Sequence, residues 1–503
     1  MSPDGRLVRA LAALLLPLPA AAQGYRVRVD TRWQTVAYRG VTLDSIPIGD
    51  TLSTPGGGPV SPDGFAVRCT PGGAYCTFFR PGAIRRGSPV TSTVEASVWG
   101  FGIRGLSIRA AGRAGVDLGN ADVWPGTKPA IQLLEGYAEY AAPWVTGRLG
   151  RQVVASRLGM MGFDGGGVVL RDASHGLELQ GYGGWGLARG VALPVTSPAL
   201  NPLDDFQPRA RQLIVGGGGG WTSALADARL EYQREVDPRA RKFVSERVGF
   251  EGALRPRADV RISAGADYDL AAGWWGSAEA AVAYVTPRVR ATVEGRQYRP
   301  HFDLWTIWGA FSPVPYRALQ ASLAVAAAAR FEVRGRYERY RYDEASAESP
   351  LFNAKRDGWR AELGLTANPI PAWTLDVGYQ REFGPGASVA GTAATITYQR
   401  SRRFRAMVLG STFDRPLEFR FNDAVVRTLG VDVLFTSSER LRFGVTAYHY
   451  GEARHRPDAA AFDWNQWRAG ARVVLALGNA ADLRGLPPSI QMLPGGRAGR
   501  TPQ

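Results

Sequence analysis

Residues 331–342 read Phe-Glu-Val-Arg-Gly-Arg-Tyr-Glu-Arg-Tyr-Arg-Tyr, with a charge at nearly every second position and aromatic or β-branched residues between. Period two marks an extended strand, whose side chains alternate between two faces. One such strand would suit the solvated side of any sheet, but here the pattern recurs along most of the chain. Asp227, Arg229, Glu231, Gln233 and Glu235 alternate with Ala228, Leu230 and Tyr232. Arg288, Arg290, Thr292, Glu294 and Arg296 alternate with Val289, Ala291 and Val293. Arg261, Ser263, Asp267 and Asp269 alternate with Ile262, Ala264, Ala266 and Tyr268. Roughly twenty segments of about ten residues in series are the signature of transmembrane strands.

Two further observations narrow the fold. No stretch beyond residue 22 approaches the roughly 20 uncharged apolar residues of a spanning helix. A chain that crosses a membrane without helices must close its strands into a barrel, because lipid offers no partner for open backbone groups. The pattern therefore predicts an all-β fold: one large transmembrane antiparallel β-barrel of about 18–22 strands.

The connections agree with this reading. Short ones fall near 142–143, 255–256, 286–287, 368–371 and 437–440, and longer ones at 187–207, 300–316, 343–355, 414–424 and 452–463. Short turns on the periplasmic side and long loops outside the cell are the arrangement of outer-membrane barrels. No motif repeats at the fixed period of a propeller or solenoid.

The N-terminus reads as a secretory leader. Arg6 and Arg9 precede the apolar run 10–22, which Pro17 and Pro19 interrupt and Ala20-Ala21-Ala22 ends. The expected organisation is a signal peptide over 1–22, an N-terminal segment over 23–90, a barrel over 91–478 and a disordered Gly/Pro-rich tail over 479–503. Twenty-one candidate strands begin near Thr91, and an even number is expected. The alternating stretch 25–40 is the natural twenty-second, which makes 41–90 an outer loop. A small periplasmic domain over 25–90 is the other arrangement. Within this segment Cys69 and Cys76 flank a Pro-Gly-Gly turn, and in an exported chain such a pair is most simply a disulfide.

The formal charge of +15 rests on arginine, since Lys128, Lys242 and Lys355 are the only lysines. Arginines alternating with glutamates on the strands of an exported chain do not describe a nucleic-acid binder. Inward charges must meet water or each other. If an arginine excess remains, it concentrates anions in the lumen; if acids neutralise it, the wall is simply tied together. The lumen candidates are Arg229, Arg261, Arg288, Arg290, Arg296, Arg334, Arg336, Glu332 and Glu338. Beyond Tyr337, Arg339 and Arg341 fall on the apolar face, which places the membrane edge there.

The segment 147–173, GRLGRQVVASRLGMMGFDGGGVVLRDA, resembles the porin families that include alginate-export proteins. In these families a Gly-Arg-Gln ending one strand and a Phe-Asp-Gly opening the next flank an outer loop. The matching residues are Gly150, Arg151 and Gln152, then Phe163, Asp164 and Gly165. The resemblance implies a basic lumen conducting anionic saccharides or small anions. The last strand departs from the pattern in lacking a terminal aromatic, and the cysteine-bearing segment has no counterpart in it.

Catalytic motifs are scarce. There is no Gly-x-Ser-x-Gly, and the run Gly216–Gly220 lacks the Lys-Ser/Thr of a phosphate loop. The four histidines, His175, His301, His449 and His455, show no metal-ligand spacing. His449 is the only strand-borne candidate for a barrel hydrolase. In the loop 298–317, Trp305, Trp308 and Phe311 either stack on sugars inside the pore or belong to an interfacial girdle. Asp204 and Asp205 bind a cation or are simply solvated. Too few residues precede Thr91 for the plug of an energy-coupled receptor.

The resulting expectation is a porin-like, non-enzymatic channel in a Gram-negative outer membrane, needing no cofactor. Its partners are membrane lipid and small anionic or saccharide solutes. The alternative is a structural or adhesion barrel that binds a partner through its outer loops.

Overall fold

The computed structural model describes residues 24–53, 59–63, 65, 67–119, 131–187, 212–238, 242–271, 273–298, 316–343, 357–384, 387–417, 422–454 and 464–478. The leader at 1–22, the tail from 479 onward, Asp204, Asp205, Trp305, Trp308 and Phe311 lie outside the described residues.

The chain begins with β1 (Gly24–Gln34) and enters an arm. The arm comprises β2 (Val36–Pro47), a 3-10 turn, β3 (Leu52–Ser53), β4 (Pro59–Val60), β5 (Arg68–Cys69) and β6 (Tyr75–Gly87). The wall then resumes with β7 (Pro89–Trp99), β8 (Leu106–Asp117), β9 (Ile131–Ala142), β10 (Val145–Ser156), β11 (Gly159–Asp172) and β12 (Leu177–Gly186). It continues through β13 (Leu213–Thr222), β14 (Ala226–Asp237), β15 (Lys242–Arg257), β16 (Val260–Asp269), β17 (Trp274–Val285) and β18 (Val289–Tyr298). Next come β19 (Tyr316–Ala328), β20 (Phe331–Tyr342), β21 (Asp357–Ala367), β22 (Trp373–Gly384) and β23 (Ala387–Ser401). The last four are β24 (Phe404–Leu417), β25 (Asn422–Ser438), β26 (Leu441–Arg454) and β27 (Trp464–Gly478).

Strands β1 and β7 to β27 form one 22-stranded antiparallel sheet, and β1 pairs with both β7 and β27. The sheet is thus closed, and it has no edge to cap. Its seam runs from Arg26↔Gly478 to Gln34↔Gly470. Asp30 of β1 accepts from Arg472 Nε of β27 at 2.9 Å.

The wall is inside out. Leu363 is 64% exposed, whereas Glu338 on the opposite face is 2% exposed. Along β20 the outward residues Phe331, Val333 and Tyr337 are exposed, and the intervening charged side chains point inward. Leu319, Leu323, Ile396, Val408, Leu429 and Val445 extend the apolar outer surface around the barrel. In water such a surface would be a liability, while in hydrocarbon it is the face lipid requires.

On one rim every connection is short, including 143–144, 258–259, 286–288, 329–330, 402–403 and 439–440. β1 begins and β27 ends on that rim. The other rim carries the long connections and the arm.

The arm differs from the loop expected over 41–90. β2 continues β1 and β6 leads into β7, so the β1–β7 ribbon carries on beyond the wall from Val36↔Gly87 to Pro47↔Tyr75, with one register shift between Arg39 and Val41. One face of this ribbon is covered, with Phe78 stacked on Phe65 at 6.1 Å and Cys76 fully buried. Cys69 and Cys76 are disulfide-bonded directly across the β5–β6 pair, with Cα atoms 4.1 Å apart. Leu43, Phe79 and Tyr75 stand exposed.

Candidate functional site

The inner wall of β18 to β22 is a lattice of ion pairs, and most of the arginines expected in the lumen belong to it. Arg290 binds Glu332 at 2.7 Å and Arg296 binds Glu338 at 2.7 Å. Arg336 reaches the same Glu338 at 3.3 Å and Glu362 at 3.8 Å. Arg334 grips Asp376 through both terminal nitrogens, at 2.8 and 2.7 Å, and Thr366 donates to the same carboxylate at 2.7 Å. Arg360 binds Glu382 at 2.8 Å, and the Tyr340 hydroxyl donates to that carboxylate at 2.9 Å.

Several of these partners lie 42 residues apart, on strands separated by one intervening strand. They meet because that strand presents small residues at the crossing points. Ala324 stands level with Arg290, and Ala318 with Arg296. A Cβ at Gly364 would collide with the Arg334 guanidinium, and one at Gly358 with the Tyr340 ring.

The remaining expected positions are more dispersed. Arg229 pairs with Glu178 at 2.7 Å and Glu231 at 3.5 Å, away from this lattice. Arg261 opens the inner face of β16 and is exposed. Arg288 does not belong to the wall: it sits exposed in the turn before β18, where its carbonyl accepts from the Ala326 N–H at 2.8 Å. Alternation alone cannot tell the last residue of a turn from the first of a strand.

Above the ion-pair lattice, towards the long-loop rim, four tyrosines cluster inward. Tyr316 lies 5.5 Å from Tyr298 and 5.6 Å from Tyr342, and Tyr340 meets Tyr342 edge-on at 5.7 Å. The Arg296 guanidinium lies over the Tyr316 ring at 5.7 Å. None of these tyrosines was singled out from the sequence, although Tyr340 and Tyr342 share the parity of the inward Glu338.

A second feature projects into the lumen. β10 pairs with β9 only as far as Arg151, and β11 with β12 only from Phe163 onward. Between these points the β10–β11 hairpin pairs with itself down to Ser156↔Gly159. At about 3.3 Å per residue, the five residues 153–157 reach roughly 16 Å from the point of departure. The bend occurs at a row of glycines. Gly150 has φ +130°, and a Cβ there would collide with the Gly136 carbonyl; one at Gly165, its cross-strand partner, would collide with the Gly183 carbonyl.

The alginate-export-like motif lies in this hairpin, but its two halves are not separated by a loop. They pair with each other, and Arg151 holds Asp164 in a bidentate contact at 2.7 and 3.0 Å. Beyond them, Met161 and Phe163 pack with Tyr182 and Ile214 in a small buried cluster.

The hairpin tip docks on strands far around the wall. Arg157 binds Glu279 of β17 through both terminal nitrogens, at 2.8 and 3.1 Å, and Ser277 at 3.2 Å. Its backbone N–H donates to Glu231 of β14 at 2.8 Å, and Arg247 of β15 donates to the Leu158 carbonyl at 2.8 Å. Gly265 leaves room for the guanidinium, since a Cβ there would collide with it. The glycine run 216–220 lies in β13, and its Gly216 leaves the space that the Tyr182 ring fills.

His449 faces outward, hydrogen-bonded to Asn465 at 2.7 Å with its ring 4.8 Å from Trp467. Among the described residues, no carboxylate or nucleophile is hydrogen-bonded to it. Among the described residues, no three His, Cys, Asp or Glu side chains form a group able to hold a metal.

No family model matches the sequence, and no curated protein matches it. Among solved structures, the chain is similar to a mutant ferric enterobactin receptor (PfeA) of Pseudomonas aeruginosa bound to enterobactin. The TM-score is 0.52 at 9% identity, covering 90% of this chain and 81% of that one. It also matches the outer membrane protein opdK of P. aeruginosa, with TM-score 0.39, 10% identity and coverage of 90% and 98%. OccAB1 of Acinetobacter baumannii gives TM-score 0.38, 7% identity and coverage of 91% and 99%. At such identities the likeness is one of architecture, and none of these matches lends support to the alginate-export resemblance. The chain has the fold of an outer-membrane β-barrel, closed by 22 antiparallel strands.

Proposed function

We infer that this protein is a passive, non-enzymatic outer-membrane channel for small anionic or saccharide solutes, exported by its N-terminal leader. The carrying observation is the inside-out wall, which encloses a polar, arginine-rich inner surface. Along β18 to β24 this surface borders a cavity of about 530 Å³, lined in part by Arg290, Thr292, Ser322, Arg334, Arg336 and Gln380. A wall tied by its own ion pairs keeps its shape without a ligand, and the charged groups need water beside them.

Two features bear on the solute. Arg261, Arg405, Arg442 and Arg468 face inward by register and have no carboxylate within ion-pair distance among the described residues. They support an anion preference, against which stand Glu251, Glu294 and Asp432, inward by register and likewise without an ion pair among the described residues. The tyrosine cluster, flanked by Arg296 and Glu382, supplies flat apolar faces beside hydrogen-bonding groups. Sugar rings present matching apolar faces and hydroxyl edges.

Planar-bilayer recording tests the proposal. Purified protein is expected to insert in unit conductance steps, and a salt gradient to give a reversal potential of anion sign. Oligosaccharide is expected to interrupt the current, and Tyr316→Ala to weaken that block. Inserted protein without conductance steps would end the channel reading, and a cation-selective potential would end the anion preference.

A second reading, a surface barrel that docks a partner protein, is favoured by one observation. The arm holds Leu43, Phe79 and Tyr75 exposed on the long-loop rim, with nothing covering them among the described residues.

A further inference from the structure

The outer face of the wall carries a group of arginines on neighbouring strands that the channel does not use. Near the long-loop ends of β19 and β20, Arg317, Arg339 and Arg341 point outward, in line with the lipid-facing Leu319 and Tyr337. Arg317 stands directly opposite Arg341, and Leu319 directly opposite Arg339. Arg381 lies on the same face two strands further on, between the exposed Tyr379 and Phe383.

Directly opposed side chains lie about 5 Å apart, and like charges so placed repel. In the β18–β22 lattice arginines are matched with acids, but none of these four has a carboxylate within ion-pair distance among the described residues. Asp357 is the cross-strand neighbour of Arg341 and is exposed, yet the two form no ion pair. A row of outward guanidinium groups that repel one another calls for an anion that the described residues do not supply.

The location indicates which anion. Below Arg339 the same strands present Tyr337, Leu323 and Val333, and β21 adds Leu363, an apolar surface suited to acyl chains. Tyr337 stacks on Trp359 at 6.5 Å, and paired aromatics of this kind mark the boundary between hydrocarbon and headgroups. The arginines begin one position beyond that boundary. A ligand with phosphates at headgroup depth and acyl chains beneath them meets both surfaces at once, and guanidinium groups bind phosphate oxygens in bidentate fashion.

We propose that Arg317, Arg339 and Arg341, flanked by Arg381, form a binding site for the phosphorylated headgroup of an acylated lipid in the outer leaflet. This rests on the outer-membrane orientation inferred above, with the long-loop rim outside. The site fixes an annular lipid to one sector of the barrel, and the phosphate relieves the Arg317–Arg341 repulsion.

The test is native mass spectrometry of the full chain in detergent. Three ligands are compared: a bisphosphorylated glucosamine-disaccharide lipid, its dephosphorylated form, and inorganic phosphate. The wild type is expected to retain the bisphosphorylated lipid and to release the dephosphorylated one. The triple variant Arg317→Gln, Arg339→Gln, Arg341→Gln is expected to bind it at least about tenfold more weakly, about 1.4 kcal/mol. Equal retention of the two lipids, equal retention by wild type and variant, or displacement by inorganic phosphate at the lipid's own concentration would each overturn the site. Heat-dependent gel mobility reports the barrel separately. A wild type with barrel mobility but no phosphate-dependent retention removes the lipid site and leaves the channel reading intact.

Discussion

Arg157 carries its charge where little water reaches it, with a side chain only 9% exposed. Its two bonds to Glu279, together with the Arg247 bond to the Leu158 carbonyl, hold the β10–β11 hairpin off its own wall. Hydrogen bonds to charged groups contribute about 1.5–3 kcal/mol each, so losing the guanidinium weakens the docking of the hairpin tip, leaving the backbone bonds to Glu231 and Arg247. Arg157→Ala is expected to raise unit conductance and open-channel noise while heat-dependent gel mobility stays that of a barrel. Arg157→Lys keeps the charge but loses the planar fork, and should fall between the two. If all three proteins conduct identically, the hairpin does not limit the passage. The inward direction of Glu332, Arg334, Arg336 and Glu338 was legible from alternation, because parity is a property of the strand itself. Most of their partners were not, since Arg290, Arg296 and Asp376 lie two strands away and the sequence records no distance across a sheet.

At the scale of elements, the arm and the hairpin were the hardest parts to anticipate, for opposite reasons. The arm's Gly/Pro-rich composition reads as loop, yet the ladder of β1 and β7 carries on through β2 and β6. The hairpin's alternation reads as ordinary wall, although its outer rows leave the wall. The glycines quoted in the porin-like motif were the available signal, since Gly150 and Gly165 form the row where the strands turn inward. The disulfide was legible because seven residues of separation across a turn allow little else. A loop this short gives about 2.5 kcal/mol of chain-entropy stabilisation to whatever it closes. The double variant Cys69→Ser, Cys76→Ser is accordingly expected to open the arm tip to limited proteolysis and leave the barrel resistant. Cleavage at the wild-type rate would mean that the Phe65–Phe78 packing holds the tip unaided.

At the scale of the molecule, the number of strands could be read closely, since twenty-one segments from about residue 91 and one near the N-terminus correspond to the 22 of the wall. The inside-out assignment makes a paired prediction at adjacent residues of β19. Leu323 faces outward and is exposed, and Ser322 faces inward, level with Thr292 and Arg336. Leu323→Arg places a charge in hydrocarbon and should cost about 2–4 kcal/mol if it sits near the bilayer midplane, seen as reduced folding yield by heat-dependent gel mobility. Ser322→Arg should fold normally and change conductance instead. The reverse outcome would invert the barrel's two faces.

The seam has a consequence for biogenesis. Asp30 and Arg472 are 442 residues apart, and the strands that carry them must meet before the cylinder is complete. Until β27 arrives, the nascent sheet has two unpaired margins, each ready to pair with the wrong neighbour. Every wall strand must therefore be laid down under protection, and the Asp30–Arg472 clasp can form only on a finished cylinder.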